Sequence, residues 1–206
     1  MKSITNLYYK MLNIKNFFTN YVHDLLAVVQ DYDKAKLHKI YNEIEKAIFK
    51  KKKIFVCGNG GSAATANHFI CDYLKLIKTN TKFKPKIISL SNNIETITAI
   101  SNDISFNEIF IHQAESLFEK GDIFIILSVS GNSENVVRLA KWCKKKNLKC
   151  INLVGFNGGK LKNLSPLTLI SRVDNYGKAE DCNHIFMHAL MQFFIHKHKS
   201  KKKIRI

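Results

Sequence analysis

Apolar residues recur along this chain in two rhythms. Between about Lys2 and Gln30, Leu7, Met11, Ile14, Phe18, Tyr21, Leu25 and Val28 fall at helical intervals, with further apolar residues beside them. A second helix is expected from an Asp33 cap toward Lys50. The pattern then changes. Ile54–Cys57, Lys86–Leu90, Gly121–Ser128, Cys150–Gly155 and Leu167–Ser171 are short apolar runs, mostly rich in Ile, Val and Phe. Strands buried on both faces read this way. Helical stretches lie between them, over Ala63–Lys75, Ile94–Asn102, Asn107–Glu119, Asn132–Lys146 and a short piece near Lys160–Leu164. A last helix runs from about Lys178 to His198. This alternation predicts an α/β fold: a doubly wound parallel five-stranded sheet, helices on both faces, and an N-terminal helical extension.

No linker interrupts the pattern, so residues 1–206 are expected to form a single domain. The first helix is too apolar for a lone surface helix, which makes residues 1–50 a candidate subunit interface. The longest strand-like run, Ile123–Val129, is far too short for a membrane span, and no secretion signal is evident. Five cysteines, Cys57, Cys71, Cys143, Cys150 and Cys182, are an odd number without CxxC spacing. They suit reduced thiols in a cytoplasmic protein better than a disulfide framework.

The net charge of +17 invites a nucleic-acid reading, but the lysines accompany many Asn and Ile residues and read as general surface basicity. The clearest cluster, residues 197–206, is a basic tail of the kind that stays solvated. It has no interleaved aromatics and no recognisable reading helix precedes it, so no nucleic-acid partner is expected.

Ligands of open α/β sheets sit beyond the carboxyl ends of the strands, and two strand ends here are unusual. One reads Cys57-Gly58-Asn59-Gly60-Gly61-Ser62-Ala63, the other Ser128-Val129-Ser130-Gly131-Asn132-Ser133, and a helix follows each. Glycines let backbone approach an anion, the helix N-termini supply free N–H groups, and serine hydroxyls complete a phosphate cradle. The loose dinucleotide fingerprint in the first loop expects an acid at the end of the next strand. That strand ends Ser89-Leu90-Ser91-Asn92-Asn93, so no nucleotide cofactor is expected.

The paired GNGGSA and SxSGNS loops resemble the sugar isomerase (SIS) domain family, in particular its phosphoheptose isomerases. The resemblance runs from about Asn20 to Phe194. It includes Asn102-Asp103, Gly158-Gly159-Lys160 and a terminal helix bearing histidines. It implies a homotetramer with active sites between subunits, and sugar-phosphate contacts from Asn59, Gly60, Ser62, Asn102, Asp103, Ser128, Ser130 and Ser133.

His68 and Asp72 lie four residues apart on one helix, and Glu180, His184 and His188 follow four-residue steps on another. Aldose–ketose isomerisation needs a base for the proton α to the carbonyl and an acid for the oxygen; carboxylates and imidazoles suit both. The resemblance implies Asp72 and His188 in these roles. Asp72 stands where the family commonly carries Glu, and Glu180 where it commonly carries Gln, so Glu180 is a second candidate base. Two histidines and two carboxylates can also close a tetrahedral zinc site. Some family members bind zinc at the matching positions, which makes His68, Asp72, Glu180 and His188 the expected ligands of a Zn²⁺.

The function expected is isomerisation of sedoheptulose 7-phosphate to D-glycero-D-manno-heptose 7-phosphate through an enediol, feeding cell-surface heptose synthesis. The alternative is a non-catalytic sugar-phosphate sensor, or an adaptor for a replication initiator.

Overall fold

The computed structural model describes residues 13–199. Leu7 and Met11 of the expected first helix, and residues 200–206 of the expected tail, lie outside that range. Helices α1 (Ile14–Gln30) and α2 (Lys34–Phe49) lead into β1 (Lys53–Cys57). Then follow α3 (Gly61–Asp72), β2 (Lys86–Ser89), α4 (Ile94–Asp103), α5 (Ile109–Leu117) and β3 (Ile123–Ser128). The chain continues through α6 (Glu134–Lys145), β4 (Lys149–Gly155) and β5 (Leu167–Ser171) to α7 (Tyr176–His198).

All five strands pair in parallel, in the order β2-β1-β3-β4-β5. Alternate residues of a strand face opposite sides of the sheet, and each set has its own core. Ile54, Val56, Ile123, Ile125 and Leu127 pack with Ile44 of α2, Phe69 of α3 and Met187 of α7. Phe55, Phe124 and Ile126 pack with Ile100 of α4, Phe110 of α5 and Val137 of α6. The Phe55 and Phe124 rings stack at 4.9 Å across β1 and β3, adding about 0.5–1.5 kcal/mol to their burial. Covering both faces forces the loops to the sheet's edges, and reversing the strand order at β1/β3 opens a crevice at the carboxyl edge.

Expectation and structure differ in instructive places. Helix α3 begins at Gly61 and widens into a π-turn over Tyr73–Ile77, directly after Asp72. The stretch at 107–119 opens as a 3₁₀ turn, Phe106–Glu108, with Ser105 accepting from the Asn107 amide at its start. Lys197, expected in a solvated tail, belongs to α7 and pairs with Glu45 of α2 at 2.9 Å. Of the five cysteines, Cys71 is exposed, whereas Cys57, Cys143, Cys150 and Cys182 are buried free thiols. Among the described residues no helix is long and apolar enough to cross a membrane.

Candidate active site

Among the described residues, four α-helices have side-chain caps. Asn13, Asp33, Asn93 and Asn175 each accept a hydrogen bond from a first-turn amide of α1, α2, α4 and α7. The two helices behind the glycine-serine loops do not. Gly60 precedes α3 and Ser133 precedes α6, and neither makes a side-chain cap bond. Uncapped first-turn N–H groups carry the positive end of the helix dipole and are suited to an anion. These termini converge on one cavity of about 250 Å³, lined by Asn59, Gly60, Gly61, Ser62, Ser128, Ser130, Ser133, Tyr176 and Glu180.

Each loop is braced by local bonds. Ser128 Oγ accepts from the Gly131 amide at 3.2 Å, and Ser130 Oγ accepts from the Asn132 amide at 3.2 Å. Both hydroxyls keep their own proton to donate to a ligand oxygen. Asn59 and Asn135 exchange two amide bonds, at 2.9 and 3.0 Å, and so lock the first loop to the second. This gives the Asn59 side chain a bracing role. Ser91, two residues past β2, accepts from the Gly58 amide at 3.1 Å and donates to its carbonyl at 2.8 Å.

Below this cradle, α3 and α7 face each other. His68 Nε2 and His188 Nε2 lie 2.9 Å apart. Asp72 Oδ2 stands 3.5 Å from the first and 3.1 Å from the second. A tetrahedral zinc site with bonds of 2.0–2.1 Å has donor–donor edges of about 3.3 Å, so the three atoms fit the metal that the resemblance implies. Among the described residues they form the one such group. Glu180 is not part of it: its carboxylate lies over Gly61, where any β-carbon would collide with it. His184 stands beside the group, its Nδ1 at 3.3 Å from Thr65 Oγ1.

Residues 17–155 match the SIS domain family. Phosphoheptose isomerase from Helicobacter pylori strain P12 is 35% identical over 165 residues, 80% of this chain and 83% of that protein. The Aliarcobacter butzleri phosphoheptose isomerase is 32% identical over 179 residues, 87% of this chain and 93% of that one. The chain belongs to the phosphoheptose isomerases of the SIS domain family.

Solved structures agree on the SIS fold. A phosphoheptose isomerase from Francisella tularensis superposes with a TM-score of 0.80 at 24% identity, covering 89% of this chain and 96% of that one. One from Neisseria gonorrhoeae gives 0.78 at 23% identity, covering 88% and 96%.

Within this SIS domain, Ser62, Ser128, Ser130, Ser133, Asn59, Gly60 and Glu180 come together, as do His68, Asp72 and His188. Asn102 and Asp103 do not join either group. They are exposed at the end of α4, where the Asn102 amide donates to Asp103 at 2.8 Å. Two residues were missed from sequence: Asn135, which braces Asn59, and Tyr176, which lines the cavity. Asn135 is a buried polar residue on an otherwise apolar face of α6, and that break in pattern was its available signal. Tyr176 precedes the expected start of α7 by two residues, in a stretch with no pattern of its own.

Proposed function

We propose that this chain isomerises sedoheptulose 7-phosphate to the corresponding aldoheptose 7-phosphate. One observation carries the reading: two uncapped helix N-termini and four serines share a cavity with a carboxylate. The phosphate binds to Ser62, Ser128, Ser130 and Ser133 and to the first-turn amides of α3 and α6. Glu180 removes the proton from C1 of the ketose, while a proton is delivered to the C2 oxygen to give the enediol. Loss of the C1 hydroxyl proton and return of a proton to C2 then complete the aldose. Where its Nε2 is not a metal ligand, His188, eight residues further along α7, handles the oxygen-bound proton, with Asp72 holding its ring.

His68, Asp72 and His188 would hold a zinc ion, and Glu180 works from the cavity instead of completing that set. When bound, the metal supplies a positive charge that polarises the sugar carbonyl. Elemental analysis of untagged protein should give about one zinc per chain, falling severalfold in His68→Ala. Metal far below one per chain in the parent protein contradicts this assignment.

The assembly we propose is a homotetramer. Its support is α1, which has no buried residue and exposes Ile14, Phe17, Phe18, Val22 and Leu26, an apolar surface suited to a second copy.

Proton NMR with sedoheptulose 7-phosphate in D₂O tests the reaction. Aldoheptose phosphate carrying deuterium at C2 is the expected product, and no turnover or exchange would reject the substrate. In the same assay, Ser62→Ala with Ser130→Ala should raise KM by about a hundredfold. Each lost bond to a charged phosphate is worth about 1.5 kcal/mol or more, and an unchanged KM would remove these serines from the cradle.

A further inference from the structure

The first two turns of α7 present two faces. Tyr176 and Glu180, four residues apart, line the cavity. Gly177, Lys178 and Asp181 turn the other way and meet α1. Tyr21 donates to Asp181 Oδ2 at 2.6 Å. Lys178 Nζ donates to Asp24 Oδ2 at 2.5 Å and lies 5.2 Å from the centroid of the Tyr21 ring. The Tyr21 hydroxyl also sits against Gly177, where an added β-carbon would come within 3.3 Å of it. Three α7 positions on the outer face, 177, 178 and 181, are thus met by two residues of one helix.

This contact is unusual for α1. The helix contributes no buried residue; only Val28 and Val29, near its end, pack against the core. Around Tyr21 and Asp24 it therefore docks on α7 chiefly through polar groups. Such groups are directional, so they set the rotation of α7 where an apolar contact would allow sliding. The Asp181 carboxylate pushes the Tyr21 hydroxyl up to about 12, so tyrosine remains the donor throughout the neutral range.

We propose that Tyr21 and Asp181 are positioning residues for the isomerisation. Their bond fixes the turn of α7 that aims Glu180 into the cavity, without touching substrate themselves. The inference rests on Glu180 acting as proposed above. A base displaced by about an ångström can cost up to a hundredfold in rate, whereas the serine cradle, carried by β1, β3, α3 and α6, is independent of this contact.

Tyr21→Phe and Asp181→Ala should each lower kcat about tenfold. KM and inhibition by inorganic phosphate should stay within twofold. The double variant should be no slower than the worse single one, because both remove one bond. Asp181→Asn, which keeps an acceptor, should recover most of the rate. Single variants with unchanged kcat, losses that multiply in the double variant, or a parallel rise in KM and the phosphate inhibition constant would each overturn the proposal. Parent protein that fails to turn over would instead reject the substrate reading. Amide exchange then decides the positioning role: Tyr21→Phe should speed exchange in residues 176–181 and leave 59–62 and 128–133 unchanged. Equal exchange in all three segments would overturn it.

Discussion

Glu180→Gln should reduce kcat about a thousandfold while leaving KM and thermal stability close to those of the parent protein. Two carboxylates compete for the role of base, and their surroundings separate them. Asp72 lies between two imidazoles, 3.1 Å from His188 Nε2 and 3.5 Å from His68 Nε2. Glu180 lines the phosphate cavity, its carboxylate over Gly61 at the mouth of α3. Glutamine matches glutamate in shape and loses only basicity, so the change isolates proton transfer, worth about 10²–10⁴ in rate.

The family resemblance supplies the complementary experiment. Its members commonly carry Glu where this chain has Asp72, and Gln where it has Glu180. The resemblance thus implies a reciprocal exchange, with the longer carboxylate on α7 where the family has it on α3. Asp72→Glu combined with Glu180→Gln restores the family arrangement and should bring kcat back to within about tenfold of the parent. Asp72→Glu alone lengthens the carboxylate between the histidines while Glu180 stays in the cavity, and should not improve the rate. If Glu180→Gln stays fully active and Asp72→Asn is dead with zinc retained, the base is Asp72.

The strands were legible because most are runs rich in Ile, Val, Leu and Phe; β3 is buried along its whole length, whereas the edge strand β2 begins at an exposed Lys86. The β5 bounds coincide with the expected ones, and the β1 and β4 bounds differ by one residue at the amino end. The serine cradle was legible for a related reason: glycine and serine at a strand-to-helix junction leave few bland explanations. What sequence spacing could not supply was the relation between elements far apart in the chain. Four-residue steps put Glu180 and His188 on one face of α7, but they are eight residues apart, about 12 Å along a helix. One reaches the cradle and the other meets α3, so the expected four-ligand group resolves into a three-donor group and a separate carboxylate. The Asn59–Asn135 and Tyr21–Asp181 pairs span 76 and 160 residues. Both depend on strand order and helix docking, which local periodicity does not encode. The exposed apolar face of α1 was readable as excess hydrophobicity, and among the described residues nothing covers it.

Gly131→Ala should lower the melting temperature by about 10 °C and abolish measurable phosphate binding. Gly131 has φ +64, which costs an L-residue about 1–2 kcal/mol. Its missing side chain is also what admits the neighbouring loop. A β-carbon there would overlap the Gly158 carbonyl oxygen, and one on Gly159 would overlap the Ser130 carbonyl oxygen. The two loops are pressed backbone to backbone and joined by Leu161 N to Gly131 O at 3.1 Å and Lys160 N to Asn132 Oδ1 at 3.0 Å. Backbone cannot rotate aside as a side chain can, so overpacking adds about 1–3 kcal/mol. A total of about 3 kcal/mol corresponds to roughly 10 °C in a domain of this size. Gly61→Ala provides the contrast. The nearest atoms to its β-carbon are the end of the Glu180 side chain, which can swing away. That variant should keep its melting temperature and phosphate binding but lose turnover, because the base has left the cavity. Thermal melts and phosphate inhibition of the two variants therefore separate cradle from base. A stable, phosphate-binding Gly131→Ala would show that the loops do not need this contact to hold the cradle together.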